Sequence, residues 1–234
     1  MRRPYDRWMM RRTRIESLTT LVGCLCIIAA LVIIWVARLS LDHDVYVSEL
    51  GAVGMRTAKW FEGALLLIVA GGSLIGWAAR DLRSWPRVFR AWIPAVSLWV
   101  ASGCFLVASQ VTCTAGCPVP YGPSFTWQDF IHTTLAVLAF AAACWAMVQI
   151  AFARGHRAIA TMSLVAAIVV AVVAGVGGLL SLLKFEAGFG SRLELLATTV
   201  ALAWLATLGA SLAAQLLRVS SAPVPAHDVE HLVG

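Results

Sequence analysis

Charged residues are scarce in this chain. Only 13% of the 234 residues are charged whereas 60% are apolar, and the mean hydropathy is +0.83. A soluble globular domain carries about 25% charged residues, so this sequence has too little polar surface to cover itself in water. The scarcity excludes a soluble enzyme, a disordered regulator and a nucleic-acid-binding domain, despite the net charge of +6. We therefore expect a protein of the lipid bilayer with no nucleic-acid partner.

Long polar stretches are missing as well. A hydrocarbon core about 30 Å thick requires roughly 20 apolar residues per helix. Runs of about that length occupy residues 17–37, 58–79, 91–111, 130–153, 158–183 and 193–217. We predict an all-α membrane protein, a six-transmembrane-helix bundle over 17–217, with a basic cytoplasmic tail at 1–16 and a flexible cytoplasmic tail at 218–234. The first run is too long for a signal peptide and lacks a small-x-small cleavage site, which favours a retained anchor.

Basic residues gather on one side of the six predicted spans. Thirteen of the 18 lie in the amino-terminal tail, in the second and fourth loops, and directly after the last span. The other five are Arg38, Arg56, Lys59, Lys184 and Arg192. Because short cytoplasmic loops hold an excess of Lys and Arg, we predict that both termini are cytoplasmic and that loops at 41–56 and 112–127 form a structured outer cap.

Two cysteines lie in the second of these loops. Cys113 and Cys117 are separated by three residues in a segment rich in proline and glycine. An oxidising compartment favours a structural disulfide between them. Two free thiols or a redox pair are the alternatives, although dithiol enzymes favour a two-residue spacing. A zinc site needs further ligands and only His43 is near in sequence, so we expect no metal and no cofactor.

Three ionisable residues within the spans are candidates for function, because a charge near hydrocarbon has to be paired or hydrated. They are Glu62, Asp129 and His132, and the last two share one face at the start of the fourth span. In a structural interpretation, Asp129 caps its helix and Glu62 pairs with Lys59. In a catalytic interpretation, Asp129 orients His132 as a proton acceptor and Glu62 is the general acid.

Charged residues of both signs surround the end of the fifth span. Lys184 and Arg192, together with Arg56, form a candidate site for an anionic lipid headgroup. The alternative is a salt-bridged interfacial hairpin, because Glu186 and Glu194 alternate with the two cations.

Two segments carry a family resemblance. They read DVYVSELGAVGMRTAKWFEGALLLIVAGG at 44–72 and CPVPYGPSFTWQDFIHTTLAVLAFAAA at 117–143. With the six-span hydropathy, they resemble the bacterial integral membrane family catalogued as domain of unknown function 998, over roughly residues 17–217. The likeness rests on a Ser-Glu-Leu-Gly pattern and on an early helical histidine. It implies one outer-face feature made of Ser48, Glu49, Gly51, Asp129 and His132, and it names no reaction.

Three functions follow from these observations. The leading hypothesis is a multi-pass protein of the bacterial plasma (inner) membrane that binds a membrane lipid or a membrane protein partner at its outer face. This function requires an apolar groove between spans. The alternative is an intramembrane enzyme acting on a lipid or isoprenoid, which requires Glu62, Asp129 and His132 to converge on one cavity. A third hypothesis is an accessory subunit of a membrane complex.

Overall fold

The computed structural model describes residues 4–118, 121–153, 157–183 and 187–221. Within these ranges the chain forms six α-helices and no strand, which confirms the all-helical prediction. The helices are α1 (Pro4–Leu39), α2 (Ala58–Ala78), α3 (Pro94–Gln110), α4 (Trp127–Ala151), α5 (Arg157–Leu182) and α6 (Ala187–Ser221). Helix α1 begins well before the first apolar run, so much of the basic segment at 1–16 is helical. The segment 222–234, the larger part of the predicted flexible tail, lies outside the described residues.

Five of the helices are long and apolar enough to cross a membrane, and α3 is the exception. Its 17 residues span about 25 Å, less than the roughly 30 Å of a hydrocarbon core. The apolar run at 91–111 predicted a longer helix. It is shortened at its start because Ile93 is extended and Pro94 occupies the first helical turn.

Contacts between loops show that successive helices alternate in direction. Residues 40–57 and the described part of 111–126 meet at one end of the bundle, where the backbone N–H of Val53 donates to the carbonyl of Cys113 at 3.0 Å. We call these two segments together the loop end. At the opposite end, Arg80 pairs with Glu16 at 2.9 Å, and the hydroxyl of Ser84 donates to the carbonyl of Gln149.

The core of the bundle lies where α2 packs between α1, α3 and α6. Its fully buried apolar side chains include Ile27, Ile34, Ile75 and Leu208. Small residues let the backbones approach closely, as is usual where van der Waals packing drives helix association. A Cβ atom on Gly71 of α2 would lie 2.7 Å from the carbonyl oxygen of a glycine on α1.

Candidate functional site

The Ser-Glu-Leu-Gly pattern forms a 3-10 turn at the loop end, Ser48–Gly51. Leu50 is buried, and its carbonyl accepts a hydrogen bond from the hydroxyl of Thr57 at 2.8 Å. A Cβ atom on Gly51 would lie 2.6 Å from a ring carbon of Phe61, so the turn meets α2 at a distance that only glycine permits. The turn is therefore fixed against α2.

Glu194 of α6 holds the other side of this turn. Its carboxyl oxygens accept hydrogen bonds from the backbone N–H of Val47 at 2.8 Å and of Ser48 at 3.4 Å. The hydroxyl of Ser48 is a further partner. A carboxylate that accepts several N–H and O–H groups satisfies the free donors of the turn and ties the turn to α6.

Asp44 joins the end of α1 to the start of α6. Its carboxylate accepts hydrogen bonds from Arg38 and from Arg192, whose Nε and Nη2 atoms lie at 3.0 and 2.9 Å. The hydrogen bond from Arg192, reinforced by Arg38, lowers the pKa of Asp44 below its ordinary value. Arg192 is therefore paired with the carboxylate of Asp44.

The other two members of the candidate anion site are not gathered around Arg192. Arg56 is exposed in the segment before α2, and no shared hydrogen bond or acidic partner joins it to Arg192 in the part of the chain that is described. Lys184 lies outside the described residues. The alternative prediction was a salt-bridged hairpin after the fifth span. In the structure Arg192 pairs with Asp44, which follows α1, and Glu194 accepts hydrogen bonds from backbone N–H groups.

The two loop cysteines are paired, as the sequence predicted. Cys113 and Cys117 lie at disulfide-bond distance, with their Cα atoms 4.9 Å apart, and Cys113 is fully buried. Thr114, between them, donates to Asp129 through both its backbone N–H and its hydroxyl, each at 2.8 Å. The small disulfide loop is thereby attached to the first turn of α4.

The N-cap of α4 is Thr126, and not Asp129 as was predicted; Asp129 lies in the first turn and is bonded to that cap. It is fully buried, and its backbone N–H donates to the hydroxyl oxygen of Thr126 at 3.0 Å, while its carboxylate also accepts from Thr126. Together with the bonds from Thr114, these partners use both carboxylate oxygens. The structure shows no hydrogen bond between Asp129 and His132 among the described residues, so a carboxylate does not orient the imidazole.

His132 is oriented by a backbone carbonyl instead. Its Nδ1 atom lies 2.7 Å from the carbonyl oxygen of Val111. Because a carbonyl only accepts, Nδ1 carries the proton, and Nε2 of the neutral ring is left as an acceptor. The residue is only 5% exposed. No hydrogen bond to Nε2 is found among the described residues, and His132 lines a cavity.

That cavity lies between α4 and α5 and has a volume of about 750 Å³, within the roughly 300 to 1,000 Å³ of small-molecule sites. Its polar lining side chains lie towards the loop end: Tyr46, Ser48, Glu49, Ser124, His132, Thr133, Ser181 and Glu194. Its deeper lining is apolar: Phe140, Cys144, Val170, Ala171 and Ala174. A smaller apolar cavity of about 90 Å³ is also lined by Ser48, His132 and Glu194.

The three residues proposed as catalytic do not converge on this cavity. Glu62 pairs with Lys59, three residues earlier on α2, at 2.8 Å, and it lines neither cavity. Asp129 is sealed beneath the loop, so of the three only His132 contributes a side chain to the cavity. Within the described residues, the acid-base alternative therefore lacks the general acid that it requires.

Sequence reasoning missed the importance of Glu194. This residue follows the loop by about two turns of α6, and no Lys or Arg stands three or four residues away from it on its own helix. An acidic residue inside an apolar helix without such a partner has to find one on another element. The absence of a Lys or Arg at these spacings was the sequence signal that could have identified Glu194.

Neither a family model, nor a curated protein, nor a solved structure matches this chain. The resemblance to the family catalogued as domain of unknown function 998 therefore stays a prediction. What is established is the class: an all-helical protein whose five long apolar helices fit a multi-pass membrane protein.

Proposed function

We propose that this protein binds a membrane lipid in the cavity between α4 and α5. The observation that supports the proposal is the distribution of polarity along the cavity, with polar side chains towards the loop end and an apolar lining beyond them. On α4 the lining runs from His132 to Cys144, twelve residues or about 18 Å. One leaflet of a hydrocarbon core is about 15 Å thick, so the cavity matches the length of one lipid chain.

Small residues along α5 support the same function. Gly175 and Gly178 line the cavity, and a Cβ atom on either would meet nothing within 4 Å. Small residues in membrane helices ordinarily allow the neighbouring helix to approach closely. Here they border open space, which is what a groove for a lipid chain requires.

The proposed setting is the bacterial plasma membrane with the loop end outside. Two features support this orientation. Most basic residues lie in segments at the opposite end of the bundle, as cytoplasmic segments do. The paired Cys113 and Cys117 lie at the loop end, and disulfides persist in oxidising compartments. The cavity would then open in the outer leaflet.

The proposal is tested by blocking the cavity. In Gly178→Leu the new side chain occupies the groove, whereas in Gly103→Leu it extends into open space on α3, away from both cavities. We expect native mass spectrometry of detergent-purified protein to show a retained lipid of defined mass. Its occupancy should fall about tenfold in Gly178→Leu and stay at the wild-type level in Gly103→Leu.

Equal occupancy in all three proteins would contradict lipid binding in this cavity, provided that each melts cooperatively. A protein partner at the loop end would then be the better hypothesis, and crosslinking in native membranes would be the way to find it.

A further inference from the structure

The polar lining of the cavity combines hydroxyl groups, which both donate and accept hydrogen bonds, with three acceptors: Glu49, Glu194 and His132. Glu49 and Glu194 supply carboxyl groups, and they are close enough to interact electrostatically. His132 supplies the free lone pair of Nε2, because its Nδ1 proton is engaged by Val111. Ser48 adds a hydroxyl, but its proton is directed towards Glu194. A ligand that satisfies these groups has to donate hydrogen bonds.

No lysine or arginine is found among the described residues that line the cavity. At the loop end, the guanidinium groups of Arg38 and Arg192 are both bound to Asp44. The described lining of this end therefore holds two carboxyl groups and none of the guanidinium or ammonium groups that bind a phosphate.

We propose that the bound lipid carries an uncharged or cationic head group that donates hydrogen bonds, a long-chain amine or alcohol, and that phosphorylated lipids are excluded. This inference rests on the proposed lipid-binding function. A protonated amine suits this end of the cavity, since an ammonium has three N–H donors and Glu49, Glu194 and His132 supply acceptors. An alcohol offers a single donor and no charge, so it binds more weakly than the amine.

Three probes with one C18 chain separate the head groups: oleylamine, oleyl alcohol and oleyl phosphate. Each is titrated into delipidated full-length protein in a neutral detergent, and occupancy is measured by native mass spectrometry. The occupancy measured for Gly178→Leu is subtracted from that of the wild type. The difference excludes probe that only adsorbs to the detergent micelle. Cys144 lines the cavity and Cys104 does not. Protection of Cys144 alone from a maleimide confirms where the probe is bound.

We expect the half-saturating concentration to be at least tenfold lower for oleylamine than for oleyl phosphate, with oleyl alcohol between them. The double variant Glu49→Gln, Glu194→Gln should bring the amine and the alcohol within about threefold of each other. The matched control Glu62→Gln removes a glutamate that lines neither cavity, and it should keep the wild-type preference.

Two different results would overturn different claims. If all three probes bind equally and Gly178→Leu still abolishes binding, or if the phosphate binds best, the proposed head group is wrong and the lipid site stands. If Gly178→Leu changes no binding and Cys144 is never protected, the lipid site itself is wrong.

Discussion

At the scale of single residues, the acidic side chains of Asp44 and Glu194 lie at the same end of the bundle but have different kinds of partner. Asp44 is exposed and lies between two guanidinium groups, from Arg38 and Arg192. Glu194 has backbone N–H groups as its partners and faces two cavities. Asp44 therefore links α1 to α6 through its ion pairs with Arg38 and Arg192, and we call this link the clasp. Glu194 holds the Ser48–Gly51 turn and also lines the cavities.

The clasp predicts a pH dependence. The pKa of Asp44 is lowered in the folded protein, chiefly by the hydrogen bond from Arg192. A lowered folded-state pKa means a contribution that is fully present above the ordinary pKa and is lost as the pH falls through the folded-state value. We expect the melting temperature of the wild type to fall more steeply below about pH 4 than that of Asp44→Asn.

The measurement is thermal unfolding in detergent from pH 7 to pH 3, at low and at high salt. Because Asp44 is exposed, added salt should reduce the difference between the two proteins. The control Asp42→Asn removes an exposed acid two residues away and should keep the wild-type steepness. Parallel curves for wild type and Asp44→Asn would contradict the prediction.

Residue-level prediction succeeded where partners are close in sequence. The pairing of Glu62 with Lys59 and the joining of Cys113 to Cys117 both follow from spacings of three or four residues, which local geometry nearly determines. Glu194 could not be placed in the same way. Its partners at Val47 and Ser48 lie 147 and 146 residues away along the chain, and only the fold brings them together.

At the scale of secondary-structure elements, α2 offers a test of how the bundle is packed. A Cβ atom on Gly71 would lie 2.7 Å from the carbonyl oxygen of Gly23 and 2.8 Å from Ile27, whereas a Cβ atom on Gly63 would meet nothing within 4 Å. Gly71→Ala should therefore force α1 and α2 apart and destabilise the protein by about 1–3 kcal/mol. Gly63→Ala should be neutral or stabilising by up to about 1 kcal/mol, because alanine favours a helix.

Chemical or thermal unfolding of the two variants beside the wild type, in the same detergent, measures this difference. A Gly71→Ala protein as stable as Gly63→Ala would show that α1 and α2 do not approach each other as closely as the structure describes.

Hydropathy located all six helices because each is built from an apolar run, but it did not set their ends. Helix α3 is shorter than the run at 91–111 because Pro94 and the extended Ile93 delay its start. Helix α1 is longer than its run, since arginine and glutamate favour helix as well as leucine does. The cavity between α4 and α5 was not predictable from these patterns. A glycine at a close helix–helix contact and a glycine that lines a cavity cannot be distinguished in a sequence.

At the scale of the whole molecule, the two ends of the bundle differ in a way that bears on function. The loop end carries the disulfide, the Ser48–Gly51 turn and the polar lining of the cavity. The opposite end carries the connections after α2 and α4 and most of the basic residues that the structure describes. If the loop end faces outward, the lipid enters from the outer leaflet. If it faces inward, the ligand is cytoplasmic and a lasting disulfide is unexpected.

Single cysteines on exposed positions decide between these orientations. Asp42 lies at the loop end and Arg83 in the segment after α2 at the opposite end, and both are exposed. In intact cells, we expect a membrane-impermeant maleimide to label Asp42→Cys and to leave Arg83→Cys unlabelled until the cells are opened. The four free cysteines of the wild type lie within helices, so the wild type is the blank. Labelling of Arg83→Cys alone in intact cells would reverse the proposed orientation, because the side that holds most of the Lys and Arg would then be external.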